Sequence, residues 1–182
     1  MIACIKGLFT EAKLFIAQDK LSKEAPVKPL SEKTLSDVRK ILADRNLSRE
    51  LISKFKTTIT TRDIHTLKPK QWLNDEIINF YLHMICERAN AGSKQMKVFA
   101  FNSFFYTRLC QSGYQSVERW GKRAKIDGDN LLALDYLIIP VHSVNHWTLG
   151  VANFTKKRLE YYDSLGGGGS TFYRVCIPRW LS

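Results

Sequence analysis

The chain has 182 residues, 45% of them hydrophobic and 25% charged, which fits one globular domain and excludes a disordered or fibrous chain. No apolar run reaches the roughly 20 residues of a membrane-spanning helix. Lysine and arginine number 28 against 17 acidic residues, a formal charge of +11 that suits a nucleic acid, an anionic membrane face or an acidic protein alike.

In chain order, Ile2, Ile5, Leu8, Phe9, Ala12, Phe15 and Ile16 form one stripe at helical spacing. They predict a short amphipathic helix or a disordered leader, and Lys6, Glu11, Lys13 and Asp19 deny it a secretory apolar core. Leu21–Ser36, with Pro26 and Pro29, reads as a linker. Leu35, Val38, Ile41 and Leu42 predict a helix over Thr34–Leu47, capped by Ser31 or Thr34. Thr57–Thr61 is a β-branched run. Gln71–Ala89 is a stronger helix, with Leu73, Ile77, Ile78, Tyr81, Leu82 and Ile85 on one face and Asn74 or Asp75 as cap. Val98–Phe105 reads as a strand running into a helix, and Asp127–Asn130 as a polar turn. Strands are predicted at Tyr136–Val141, Trp147–Asn153 and Arg158–Tyr162, the last two joined by a turn at Phe154–Lys157. Gly166–Gly169 with Ser170 is the most flexible stretch, and Thr171–Ser182 shows no convincing period. Two glycosylation sequons, at Asn46 and Asn153, carry little weight without a secretion signal.

His146 and Asp163 are the first candidates for chemistry. If Phe154–Lys157 closes an antiparallel hairpin, Asn153 pairs with Arg158, and counting outward sets Thr148 opposite Asp163. His146 is then one side-chain repeat further along, roughly 6–7 Å. A carboxylate on one ring nitrogen would fix the tautomer and aim the other at a nucleophile. The same spacing suits a strand-end His and a turn Asp that never meet. His142 and His146 are four apart, a spacing that aligns metal ligands on a helix but not in a strand beside Pro140, so no metal is expected. Trp147 beside His146 could roof a slot that admits only glycine-like backbone, or be half-buried core like Trp72. The basic clusters Arg119–Arg123 and Lys156–Arg158 are nucleic-acid or import patches, or solvated faces. Of the four cysteines, Cys4, Cys86, Cys110 and Cys176, none forms a C-x-x-C pair, in keeping with a reducing compartment; Cys86 and Cys110 sit in apolar helical contexts as small core hydrophobes.

An ordered set of motifs carries a resemblance: Thr57–Ile64, Trp72-Leu73-Asn74-Asp75 running on to Tyr81, Ala100–Tyr106, Gly113–Trp120, Ile139–His142, Asn145-His146-Trp147 and Tyr161-Tyr162-Asp163-Ser164. From about Leu47 to Gly167 the chain resembles the sentrin/SUMO-specific proteases, ubiquitin-like-protein-specific cysteine peptidases. The resemblance implies an α+β, papain-like fold of the ubiquitin-like protease type. It implies a Cys–His–Asp triad without cofactors that cuts after the C-terminal Gly-Gly of SUMO, maturing the precursor and releasing SUMO from conjugated proteins. His146 would be the general base and Asp163 its orienting carboxylate. Trp72 and Trp147 would enclose the Gly-Gly tail, Asp75 would contact SUMO, and Phe104 and Trp120 would lie in or near the SUMO-facing surface. A monomer in the nucleus, or the cytoplasm, with no membrane and no required nucleic acid, follows from the same likeness.

The departure is at the nucleophile. The family's cysteine follows the aspartate in a segment like Gln-x-x-x-Gly-x-Asp-Cys-Gly, absent here; the only later cysteine, Cys176, has no such surroundings. The expectation is therefore a leader and linker over 1–45, an incomplete catalytic domain over 46–167 that stops after the His/Asp hairpin, and a Gly-rich tail unlike the family over 168–182. The sheet face behind Tyr136–Tyr162 would lack its central helix. The chain as written is expected to be an inactive member, with a dead SUMO-binding module or a non-functional fragment as the alternative. A basic nucleic-acid binder is the third reading.

Overall fold

The computed structural model describes residues 29–91 and 96–180. The stripe at Ile2–Ile16 and most of the expected linker lie outside them. Two compact units divide after Tyr81.

In the first unit, helix α1 (Glu32–Ala43) starts at Ser31, whose hydroxyl accepts from the Thr34 amide at 3.2 Å. It ends at Ala43, four residues before the predicted Leu47, and Leu35, Ile41 and Leu42 are half-buried. Strands β1 (Glu50–Lys54) and β2 (Thr57–Thr60) pair antiparallel. Sequence reading found β2 and missed β1, because the turn residues Phe55 and Lys56 both take positive φ (57° and 61°) without the expected Asn or Gly. The Phe55 ring packs edge-on against Phe80 at 5.4 Å, and that contact supports the turn. Helix α2 (Thr61–His65) follows directly, and helix α3 (Asp75–Ala91) runs on past the boundary between units.

The second unit holds a four-stranded sheet in the order β3 (Val98–Ala100), β4 (Tyr136–Ser143), β5 (His146–Asn153), β6 (Arg158–Tyr162). Only β3 pairs parallel to its neighbour. Helices α4 (Phe104–Ser112), α5 (Glu118–Ala124) and α6 (Asp129–Leu132) lie between β3 and β4 in the chain. The buried face of β4 alternates Leu137, Ile139 and Val141, and Phe105, Leu109 and Val117 pack into the same core.

The segment after the glycines is helix α7 (Ser170–Trp180), where the sequence predicted an aperiodic tail and an uncovered sheet. Phe172 and Cys176, one helical turn apart, are buried in the core beside Leu137 and Ile139. Among the described side chains of this helix only Phe172 and Cys176 are buried, which leaves little period in the sequence. The glycines supply close approach more than flexibility. Gly169 has φ +65°, and a Cβ there would stand 2.5 Å from the Tyr161 ring.

Candidate active site

The β5–β6 hairpin sets the site. Its register pairs Asn153 with Arg158 and Leu149 with Tyr162, as counted from the sequence. The turn is held by the Lys156 amide donating to Asn153 Oδ1 (2.9 Å), while Asn153 Nδ2 donates to Glu160 Oε1 (2.9 Å). Glu160 also accepts from Arg158 Nε (2.5 Å) and Tyr162 Oη (2.7 Å). Burial pushes its carboxyl up, but the bonds from Tyr162, Arg158 and Asn153 outweigh that and hold it below its ordinary value.

One repeat beyond the pairing, His146 Nε2 meets Asp163 Oδ1 at 2.5 Å. The side chains do meet, and the alternative of a separate His and Asp falls. Two backbone amides also hold the carboxylate: Leu165 N donates to Oδ1 (2.8 Å) and Gly167 N to Oδ2 (3.1 Å). The His146 bond first, then the Leu165 amide, hold the Asp163 carboxyl below its ordinary value. An ionised carboxylate only accepts, so Nε2 carries the ring proton and Nδ1 is left with the lone pair that can take one. That is the arrangement of a general base with its orienting partner.

Two of the described cysteines, Cys176 and Cys86, lack the surroundings of a nucleophile. Cys176 is 1% exposed, and burial, then Cys110, push its thiol well above the ordinary range. Burial also raises the Cys86 thiol. A reactive cysteine needs the opposite, a thiolate favoured in an accessible, electropositive setting. Among the described residues, no group of three His, Cys, Asp or Glu side chains could hold a metal ion.

The expected substrate contacts are placed unequally. In the first unit Trp72 is 65% exposed, and Asp75 is half-buried at the first turn of α3. In the second, Phe104 opens α4 and is 58% exposed. Trp147, next to His146, is half-buried, with its ring 4.3 Å from that of His142. Trp120 is half-buried and packs on the core, with its ring 5.9 Å from that of Phe105.

A model of the Ulp1 protease family, C-terminal catalytic domain, matches residues 71–178. The chain belongs to the Ulp1 protease family. The family match begins just before Trp72, includes His146 and Asp163, and continues into α7, past the Gly167 at which the motif resemblance ends. A Caenorhabditis elegans protein named sentrin-specific protease is 42% identical over 125 residues, which are 69% of this chain and 17% of that one. The ubiquitin-like-specific protease 1 of Saccharomyces cerevisiae is 41% identical over 143 residues, 78% of this chain and 21% of that one. The solved C-terminal Ulp1 protease domain in complex with Smt3, the yeast orthologue of SUMO, matches with a TM-score of 0.70 at 38% identity, over 83% of this chain and 65% of that chain. The chain spans about a fifth of the length of these curated relatives.

One buried carboxylate, Asp63, was not singled out by sequence reading. Asp63 accepts from Thr60 N and Thr60 Oγ1, both at 2.7 Å, and from Asn74 Nδ2 at 2.8 Å. The signal was present in Thr60-x-x-Asp63, a capping-box pattern at a helix start. The bond to Asn74 had no local signal, because its partner is eleven residues on.

Proposed function

We propose that this chain carries the SUMO-recognising and base-bearing part of a SUMO-specific cysteine protease site. The bond between His146 and Asp163 carries the reading: it leaves Nδ1 to take the proton of a thiol that attacks the carbonyl after Gly-Gly. Trp72 and Asp75 in one unit, and Phe104 and Trp147 in the other, contact SUMO, and Trp120 supports Phe104 through its packing on the neighbouring Phe105. The partners it recognises are the SUMO precursor and SUMO-conjugated proteins. The protein acts as a monomer in the nucleus, without cofactor. The names of the relatives and the placed dyad support this reading.

Because Cys176 is sealed in the core, these 182 residues bind SUMO without cutting it. The test pairs a titration of labelled SUMO, with and without its Gly-Gly tail, with a precursor-cleavage assay. Tail-dependent binding without turnover is the expected result. Turnover abolished by Cys176→Ser would make Cys176 the nucleophile, and equal affinity for tailed and tail-less SUMO would sink the recognition reading.

A further inference from the structure

Asp63 is a charged side chain that the proposed chemistry does not use, yet it is only 8% exposed. A carboxylate that deep in the protein needs hydrogen bonds to replace its water. Thr60 supplies two, both to Oδ2, and Asn74 supplies one to Oδ1. Burial pushes the carboxyl up, but these bonds, with the charge of Arg62, outweigh it and hold the group below its ordinary value.

An ionised carboxylate accepts and never donates, so the Asn74 amide must turn its NH2 towards Asp63. That turns Asn74 Oδ1 the other way, to the Ile77 amide at 3.1 Å, where it caps α3. The Asn74 carbonyl accepts from the Ile78 amide at 3.2 Å. One bond, Asn74 Nδ2 to Asp63 Oδ1, therefore ties the start of α2 to the start of α3 and closes the base of the loop between them. Inside the loop, amides of Leu67, Lys68 and Gln71 donate to carbonyls three residues back, and Lys70 takes φ 63°. Trp72 stands at the end of this loop, two residues before Asn74. It has no ring partner among the described residues and is mostly exposed, so its place is set by its backbone.

We propose that Asp63 is a positioning residue, whose carboxylate, acting through the Asn74 amide, holds Trp72 in place for the Gly-Gly tail of SUMO. The proposal rests on the function proposed above and adds a residue and a bond to it. Asn74 is then required for a reason beyond capping: aspartate caps a helix equally well but cannot donate to Asp63.

That distinction supplies the test. Asn74→Asp keeps the cap and sets two carboxylates face to face. The double variant Asp63→Asn with Asn74→Asp restores one donor and one acceptor in exchanged places. Two quantities are read in the full chain for wild type and both variants. One is the ratio of affinities for SUMO with and without its Gly-Gly tail. The other is acrylamide quenching of Trp72, taken as the difference between each protein and its Trp72→Phe counterpart. The tail ratio is expected to fall at least about tenfold in Asn74→Asp, the scale of one hydrogen bond to a charged group, with tail-less affinity unchanged. Trp72 quenching is expected to change in Asn74→Asp, and both quantities to return in the double variant. A tail ratio unchanged in Asn74→Asp would overturn the positioning role and leave the proposed function standing. A wild type with no tail dependence would remove the proposed function, and unchanged Trp72 quenching would then overturn the positioning role by itself. If Asn74→Asp fails to fold, the double variant decides: a folded double variant without the tail ratio overturns the proposal.

Discussion

The Phe172 ring fills the space that a Cβ on Gly150 would need: such an atom would lie 2.2 Å from it. Helix α7 therefore rests directly on the backbone of β5, the strand that carries His146 at its start. Gly150→Ala is expected to destabilise by about 1–3 kcal/mol through overpacking, and Phe172→Ala by about 3–5 kcal/mol through the cavity it leaves. Urea unfolding monitored by circular dichroism checks both. A loose glycine-rich tail would leave both values near zero.

Gly167 bears on the dyad itself. A Cβ there would stand 2.2 Å from Asp163 Oδ2, the atom its amide serves. Gly167→Ala is expected to push the carboxylate away from that amide and weaken its hold on His146. In histidine-labelled protein at neutral pH, the nitrogen spectrum should show His146 protonated at Nε2. That proton resonance is expected to move in Gly167→Ala and to disappear into solvent exchange in Asp163→Ala.

The acid limb of the stability curve has a definite sign. Asp63, Glu160 and Asp163 all have folded-state values below their ordinary ones. The unfolded chain therefore binds their protons first as pH falls, and their stabilisation, full above the ordinary carboxylate range, is lost as pH drops through the lower folded values. Stability is expected to hold near neutrality and to decline below about pH 4. Glu76 works the other way: burial first, then Asp75 and Asp63, raise its value, so the folded state gains as Glu76 protonates. Asp63→Asn should flatten the acid decline and Glu76→Gln should steepen it, as read from melting temperatures across pH 3–7.

Val144 occupies the two-residue turn between β4 and β5, at φ 54° and 87% exposed. A β-branched residue is poorly suited to that left-handed conformation, which Asn and Gly accept. Val144→Asn is expected to stabilise by about 1 kcal/mol without moving His146, two residues on. A thermal melt and the His146 nitrogen spectrum together check this, and an unchanged or lower melting point would contradict it.

The hairpin register was legible because it is counted outward from its turn, but that count suited a His and an Asp that never meet as well as a pair, and it was the family resemblance that made them a dyad. The strands β4, β5 and β6 and the helix α3 were legible for a similar reason: their apolar residues repeat at the period of the element. What stayed hidden depends on partners far along the chain. Strand β1 pairs across Phe55-Lys56, whose left-handed backbone is supported by Phe80 and not by any turn residue. Helix α7 depends on a flat patch at Gly150 and the close approach of Gly169 to Tyr161, and glycines in a row read as slack. The role of Asp63 as a link, beyond a cap, appears only once Asn74 is beside it.

The turn at Phe154–Lys157 also has a consequence for how this site can be inherited. Thr155, Lys156 and Lys157 are exposed, so their identities are open to exchange, Lys157 within the limits of its φ of 51°. The number of residues in the turn is not open in the same way. One codon gained or lost there would shift β6 by a single step against β5, turn each of its side chains to the opposite face, and carry Asp163 away from His146. The hairpin is thus indifferent to spelling and strict about length. Lineages that retain the His–Asp pair should vary freely in the letters of this turn while keeping its count at four.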